Sequence, residues 1–387
     1  MADRRGIGVA AAGFATFINL YATQAILSVL AAEFAVSLPR TGWTVTAPLL
    51  AVAAVAPFVG SISDRLGRKR LIVSAAALLA IPTLLLAAAR SLPVFVVLRF
   101  VQGLLLPFVF TVTVGYIGDE CEGAEVIRLT GTYAVGTIVG GFFGRFVLGY
   151  ATEFAGWRLG FVILGLLTAG SAAIVAHFLP RERRFRPQRG FGAMLGAYIE
   201  HLSNRRLIAT YAVGFAVLFS IVTAFTYANF VLAPPPYRFG PAALGNVFIV
   251  YLLAIVTTPA ATRMAAGLGN RPTLIAAVAI GAAGMLLTLV PAVAAIIAGL
   301  ALAIAGMFIE QVLATGYVGI AARRARSTAV GLYVSFYYVG GSLGGILPAG
   351  LWHWAGWPGC VGLVIAVQAL MLAIALAFWH ERAIHNR

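Results

Sequence analysis

Charge is scarce in this chain. Asp, Glu, Lys and Arg make up 10% of its 387 residues, against roughly 25% in soluble globular domains, which excludes an ordinary water-soluble enzyme. Cysteine is almost missing. Cys121 and Cys360 stand alone, too far apart to suggest a disulfide framework, a CxxC pair or a zinc site. There is no HExxH and no Walker A sequence, so a metalloenzyme or an ATP-driven pump has no support, and neither metal nor cofactor is expected. Acids are scarcer than bases, 12 against 27, and the net charge is +15.

What abounds is apolar: 61% of the chain. A bilayer core takes about 20 apolar residues per helix, about 30 with turns, so this length has room for about a dozen crossings. A sliding window of about 19 residues predicts helices near 6–31, 41–63, 71–89, 93–118, 128–152, 157–179, 206–233, 240–262, 272–290, 293–319, 327–352 and 357–379. The first apolar run, Gly6 to about Ala32, is too long for the core of a cleaved signal peptide and reads as a retained helix. The expected class is an all-α integral membrane protein of twelve spans.

In a soluble protein +15 would raise nucleic-acid binding. Position decides otherwise. With a cytoplasmic N-terminus, 21 of the basic residues fall in inside segments, among them Arg4, Arg5, Arg65, Arg68, Lys69, Arg70, Arg128, seven arginines from Arg181 to Arg206, Arg263, Arg271, Arg323, Arg324, Arg326, Arg382 and Arg387. Only Arg40, Arg90, Arg158 and Arg238 fall outside. That asymmetry is the orientation signal of a bilayer protein with both termini cytoplasmic, and it removes the motive for a nucleic-acid partner. The longest polar stretch, Pro180 to Arg206, separates a bundle over 1–179 from one over 206–387, with 180–205 as a cytoplasmic linker loop.

The halves repeat at a shift of about 200 residues. Gly131, Tyr133, Val139, Gly140, Gly141, Gly144, Ala155, Gly156 and Trp157 match Gly331, Tyr333, Val339, Gly340, Gly341, Gly344, Ala355, Gly356 and Trp357 without a gap. Gly13-Phe14-Ala15 echoes in Gly214-Phe215-Ala216, and Tyr116 in Tyr317. Parallel six-helix repeats around a midplane site are a transporter architecture. Gly136, Gly140 and Gly144, with Gly340 and Gly344, give spans 5 and 11 smooth faces for close approach, serving fixed and sliding interfaces alike.

Three motifs carry a family resemblance. The loop after span 2 reads Gly60-Ser61-Ile62-Ser63-Asp64-Arg65-Leu66-Gly67-Arg68-Lys69-Arg70. It resembles the signature loop of the major facilitator superfamily, Gly-x-Leu-(Ala/Ser)-Asp-Arg-x-Gly-Arg-(Lys/Arg)-(Lys/Arg), with Ile62 in place of leucine. The resemblance implies a cytoplasmic gate in which Asp64, near the start of span 11, pairs with arginines, with Gly60, Arg65 and Gly67 around it and Arg68 reaching Asp119 and Glu120 at the end of span 4. The second-half loop, Gly267 to Pro272, lacks the acid. Span 4 holds Arg99-Phe100-Val101-Gln102-Gly103, similar to the RxxQG motif of the superfamily's proton-coupled exporters. Arg99 and Gln102 share a helix face, and an arginine inside a span is functional by default; one that snorkels to the outer surface is the structural alternative. Span 5 matches the drug-antiporter signature at Gly131, Gly140, Gly144 and Gly149, but has Arg145 where that signature has proline and Leu148 where it has glycine. The likeness is nearest to bacterial drug or sugar efflux permeases of the inner membrane, which implies alternating access and action as a monomer.

Eleven of the 12 acids fall in loops, tails or span ends; Glu310 alone sits near the middle of a span. An ionised carboxylate there costs about 2.5 to 3.5 kcal/mol on insertion scales. Glu310 is therefore the candidate proton carrier or substrate counter-charge, with Arg99 as its partner in coupling, and a neutral structural acid is the alternative. Helical spacing adds cavity candidates: Phe14, Phe17, Tyr21, Gln24 and Ser28 in span 1, Ser220, Thr223, Tyr227 and Phe230 in span 7, Tyr333 and Tyr337 in span 11. Aromatic walls with a few polar groups suit a small organic ligand, although such stripes also pack helices. The expected cavity set is Phe17, Tyr21, Gln24, Arg99, Gln102, Arg145, Tyr227, Glu310 and Tyr337. Gly340-Gly341-Ser342-Leu343-Gly344 matches the GxSxG nucleophile elbow, yet that elbow needs a strand and a strained turn, and this stretch is apolar helix. The expectation is proton-coupled efflux of a small organic compound. Uptake or exchange of an organic anion held by Arg99 and Arg145 is the second reading, and a non-transporting receptor or scaffold a third.

Overall fold

A computed structural model describes residues 2–182, 191–322 and 325–379. The side chains of Ser61 and Asp64, and of several residues in 191–197, lie outside the described set, as do Arg323, Arg324 and the C-terminal arginines. Twelve helical stretches are long and apolar enough to cross a bilayer: span 1 Arg4–Glu33, span 2 Leu38–Gly60, span 3 Arg68–Leu86, span 4 Leu92–Glu120, span 5 Ala124–Ala155, span 6 Trp157–Phe178, span 7 Arg205–Leu232, span 8 Pro241–Leu268, span 9 Asn270–Leu287, span 10 Val293–Ala321, span 11 Thr328–Ile346 and span 12 Pro348–Phe378. Hydropathy locates these spans but not their ends, which shift by several residues. The last helix starts at Pro348 and turns sharply at Gly356 (φ +59°); its repeat partner Gly156 (φ +90°) separates spans 5 and 6. Both turns need a left-handed residue, which glycine supplies without a Cβ clash.

Two spans are broken by a 3-10 segment. Span 1 is an α-helix over Ala2–Leu20, a tighter 3-10 segment over Ala22–Ile26 and a second α-helix over Leu27–Glu33. Span 8 runs as α-helix Pro241–Val247, 3-10 segment Phe248–Leu253 and α-helix Ala254–Leu268. Such breaks are tolerated in a membrane where neighbouring groups take up the freed backbone. A further helix, Phe191–Ser203, stands in the stretch read above as a linker loop. Its apolar residues recur at helical spacing, but it is too short to span.

Packing divides the chain into two units: Met1–Phe191 with Asn229–Leu252, and Gly192–Ala228 with Leu253–Arg387. In the first, Phe34, Phe95, Trp157 and Phe161 meet edge-on with centroids 5.5–6.2 Å apart. Gly136, Gly140 and Gly144 lie against the carbonyls of Ala10, Phe14 and Ile18. In the second, Gly340 and Gly344 lie against the carbonyls of Phe215 and Phe219, the repeat partners of Phe14 and Ile18. The repeat thus extends to packing: small residues let the first and fifth helices of each set touch backbone to backbone. A polar tie recurs as well. Asn19 Nδ2 donates to Thr168 Oγ1 at 2.8 Å, and at the shifted positions Gln368 Nε2 donates to Ser220 Oγ at 3.0 Å.

Candidate functional site

Arg99 is fully buried and does not snorkel. Its Nε donates to Thr44 O at 2.9 Å and its Nη1 to Asn19 O at 2.8 Å; Nη2 reaches Leu20 O. Asn19 and Leu20 end the first α-helix of span 1, so the guanidinium sits where a helix terminus leaves carbonyls unsatisfied and favours a cation. Nη1 also donates to Gln102 Oε1 at 2.7 Å. Gln102 Nε2 donates to Thr83 Oγ1 at 2.7 Å, and Thr83 Oγ1 to Asn19 Oδ1 at 2.9 Å. With the Asn19–Thr168 bond, spans 1, 2, 3, 4 and 6 are thereby joined by one polar network in an apolar interior. Gly103 lets span 4 lie against Pro48 of span 2.

Arg145 is 1% exposed. Its Nε and Nη2 both donate to Gln24 Oε1, at 2.9 and 2.7 Å, and its Nη1 to Gly141 O at 2.6 Å. The guanidinium carbon lies 4.4 Å from the ring centre of Phe248, 4.6 Å from Tyr251 and 4.9 Å from Tyr21. Gln24 and Tyr21 come from the break in span 1, Phe248 and Tyr251 from the break in span 8. Among the described residues no acid pairs with Arg145; three π faces take that place. Beyond it, span 5 continues along the first half of span 8: Gly149 lies against Pro241 O, Glu153 Oε2 accepts from the Ala242 N–H at 3.2 Å, and Asn246 Nδ2 donates to Tyr150 OH at 3.1 Å. Asn229 Nδ2 donates to Gln24 O at 2.6 Å.

In the second unit Glu310 is fully buried, and no cation pairs with it among the described residues. Neither carboxyl oxygen meets a donor at hydrogen-bond geometry. The Gln368 amide of span 12 stands beside it, and Gly281 of span 9 faces Oε1, where a Cβ would stand 3.8 Å away. Tyr227 is buried, its hydroxyl 3.4 Å from Gly345 O and its ring 5.8 Å from Trp352. Half-buried Tyr337 stacks with Tyr333 at 6.0 Å, and Phe17 meets Phe110 at 6.4 Å.

At the opposite end from Arg145, Arg68 Nη2 lies 2.5 Å from Asp119 Oδ2. Gly115 makes room for it, since a Cβ there would overlap the Arg68 guanidinium. Glu120 is buried, Arg65 exposed, and Gly60 faces open space. Gly67 is approached by the Glu182 carboxylate. The Asp64 contacts expected of the gate lie outside the described residues.

The structure therefore gathers Tyr21, Gln24 and Arg145 at one place and Arg99 with Gln102 at another, with Glu310 in the second unit. Sequence spacing puts Asn19 to one side of the span 1 stripe and does not single out Thr83, Thr168, Phe248, Tyr251 or Gln368. Thr168 and Gln368 stand at equivalent repeat positions, which was a usable signal; Phe248 and Tyr251 gave none beyond ordinary aromatic spacing. Among the described residues no cluster of His, Cys, Asp or Glu could hold a metal ion.

Comparison with known proteins agrees with this architecture. The sequence profile of the Major Facilitator Superfamily matches residues 9–234. The chain is 33% identical over 372 residues to the uncharacterized MFS-type transporter YybF of Bacillus subtilis (strain 168), covering 95% of this chain and 90% of that one. It is 33% identical over 366 residues to the inner membrane transport protein YnfM of Escherichia coli (strain K12), covering 94% and 87%. A crystal structure of the nucleoside transporter NupG, in a mutant form, superposes with a TM-score of 0.78 over 97% of this chain and 100% of that one at 12% identity. Twelve spans, an internal repeat, a superfamily loop and these likenesses together make the chain a multi-pass membrane transporter belonging to the Major Facilitator Superfamily.

Proposed function

We propose that the protein is a secondary active carrier that moves a small, partly hydrophobic organic compound out of a bacterial cell by alternating access, coupled to protons, acting as a monomer in the inner membrane with both termini cytoplasmic. The observation that carries this reading is Glu310. It is the one acid of the sequence in mid-span, it is buried, and no cation neutralises it among the described residues. A carboxyl in such a place is at home when protonated and must find water or a donor when it ionises, which is the requirement of a group that loads a proton in one state and releases it in another. A proton crossing 100 mV supplies about 2.3 kcal/mol, enough for more than tenfold accumulation. Arg99 supports the cycle by fixing the break in span 1 beside Gln24, since its donors are taken up by backbone carbonyls and Gln102. Phe17, Tyr21 and Gln24 in the first unit, and Tyr227 and Tyr337 taken separately in the second, are the residues proposed to contact substrate, and the Arg68–Asp119 pair is part of the proposed cytoplasmic gate. The test is Glu310→Gln in proteoliposomes with and without a pH gradient. Gradient-driven accumulation is expected to vanish while counterflow at equal pH persists; unchanged gradient-driven accumulation removes Glu310 from coupling.

One observation favours a second reading, carriage of a small organic anion. Arg145 is a buried cation with no acid beside it among the described residues, held by rings and an amide that a carboxylate ligand would outcompete electrostatically.

A further inference from the structure

Spans 3 and 6 present their exposed faces to a cavity of about 830 Å³ that lies beside the loop after span 2 and shares only Glu182 with the sites described above. Its rim carries Lys69, Arg70 and Arg181. Among the described residues none of these three pairs with an acid. The one acid at the rim, Glu182, is already used: its Oε2 accepts from the Lys69 backbone N–H at 3.2 Å. Three cations and one carboxylate leave the rim with a net charge of about +2 at neutral pH.

Below the rim the lining changes character. Val73 and Ala77 follow Arg70 along span 3, and Ala176 faces them from span 6. From Arg70 to Ala77 the helix descends about 10 Å, and Ala77 and Ala176 are exposed, so small side chains leave a trough open to the hydrocarbon. Between rim and trough lies Ser74, whose hydroxyl donates to Leu71 O at 3.2 Å and keeps its lone pairs available.

We propose that this cavity binds an anionic phospholipid. The phosphate would sit among Lys69, Arg70 and Arg181, the glycerol ester region at the level of Ser74, and the start of an acyl chain along Val73, Ala77 and Ala176. Basic pockets between spans at the headgroup level recognise acidic lipids by this combination of charge and apolar depth. A zwitterionic headgroup would bring its own cation to an already positive rim. A free phosphate would gain nothing from the trough. The position at the end of two spans, with charge above and small apolar residues below, matches one class of occupant.

The experiment is native mass spectrometry of the full chain in detergent, titrated in turn with cardiolipin, phosphatidylglycerol and phosphatidylcholine. Arg70→Gln with Arg181→Gln is compared with Arg40→Gln plus Arg90→Gln, which removes the same charge elsewhere. Acidic lipids are expected to be retained by the wild type and the control, and to bind the rim variant about 30-fold more weakly, with phosphatidylcholine indifferent to all three. The Arg70→Lys, Arg181→Lys variant is expected to keep binding, which separates lost charge from a lost fold. The proposal is overturned if the rim variant retains acidic lipids as well as the control does, if phosphatidylcholine binds equally, or if millimolar inorganic phosphate displaces the lipid completely.

Discussion

Arg145 brings a full positive charge into the interior with an amide oxygen, a carbonyl and three rings around it. Cation–π contacts are worth about 2 kcal/mol each when desolvated, so three of them, with the hydrogen bonds to Gln24 and Gly141, are of the same order as the several kcal/mol that burying an ion costs. Stability therefore gives no large net reason for the residue. Arg145→Met removes the cost of burying the ion but also takes donors from Gln24 Oε1 and Gly141 O, at about 1 to 3 kcal/mol for an acceptor left short, so it should unfold close to the wild-type temperature. Arg145→Lys should unfold lower, because an ammonium is more strongly hydrated and cannot reach Gln24 Oε1 with two donors. Under the organic-anion reading Arg145→Met also loses ligand binding. An Arg145→Met protein that keeps its affinity for every organic acid tried ends that reading, whatever its stability. At this scale the sequence displayed Arg99, Arg145 and Glu310 openly, because a charge inside an apolar run is visible without any fold. Their partners were not visible: Gln24 and Tyr251 lie 121 and 106 positions from Arg145, and only packing joins them.

The breaks in spans 1 and 8 belong to the scale of the element, and hydropathy is blind to them. Ala22-Thr23-Gln24-Ala25-Ile26 and Phe248 to Leu253 are apolar enough to be counted as membrane, with neither glycine nor proline to mark a change of helix. What makes the first break affordable is Arg99, which takes the carbonyls of Asn19 and Leu20 that the interrupted helix leaves behind. Leaving a buried acceptor unpaired costs about 1 to 3 kcal/mol, and Arg99→Ala strips three of them, counting Thr44 O. That variant should lose a large share of its thermal stability in detergent, well beyond Gln102→Leu, which removes one amide from the network. If Arg99→Ala melts with the wild type, the guanidinium is not what holds span 1, and a role in proton transfer regains ground. Glycine faces were easier to read, since the spacing of Gly136, Gly140 and Gly144 already implied close approach. Their use against Ala10, Phe14 and Ile18 in one unit and, through Gly340 and Gly344, against Phe215 and Phe219 in the other shows that the repeat encodes a helix pair and not merely a composition.

For the whole molecule, the arginines do two kinds of work that residue counts cannot separate. Among the described residues two sit inside spans beside broken helices and most of the others sit at or near span ends, and the asymmetry of the basic residues predicts the orientation. Positive segments resist translocation, so the ends bearing Arg65 to Arg70, Arg128 and Arg181 should face the cytoplasm, while the turns bearing Arg40, Arg90 and Arg238 face outward. The two native cysteines are buried and can be exchanged for alanine to give a silent background. In that background Arg90→Cys should react with a membrane-impermeant maleimide on intact cells, and Glu200→Cys, in the helix Phe191–Ser203, should react only after the membrane is opened. The reverse pattern would turn the protein over in the bilayer. It would place the Arg68–Asp119 pair at the outer face and the Arg145 cage at the inner one, and with them the direction in which a proton released by Glu310 could drive transport.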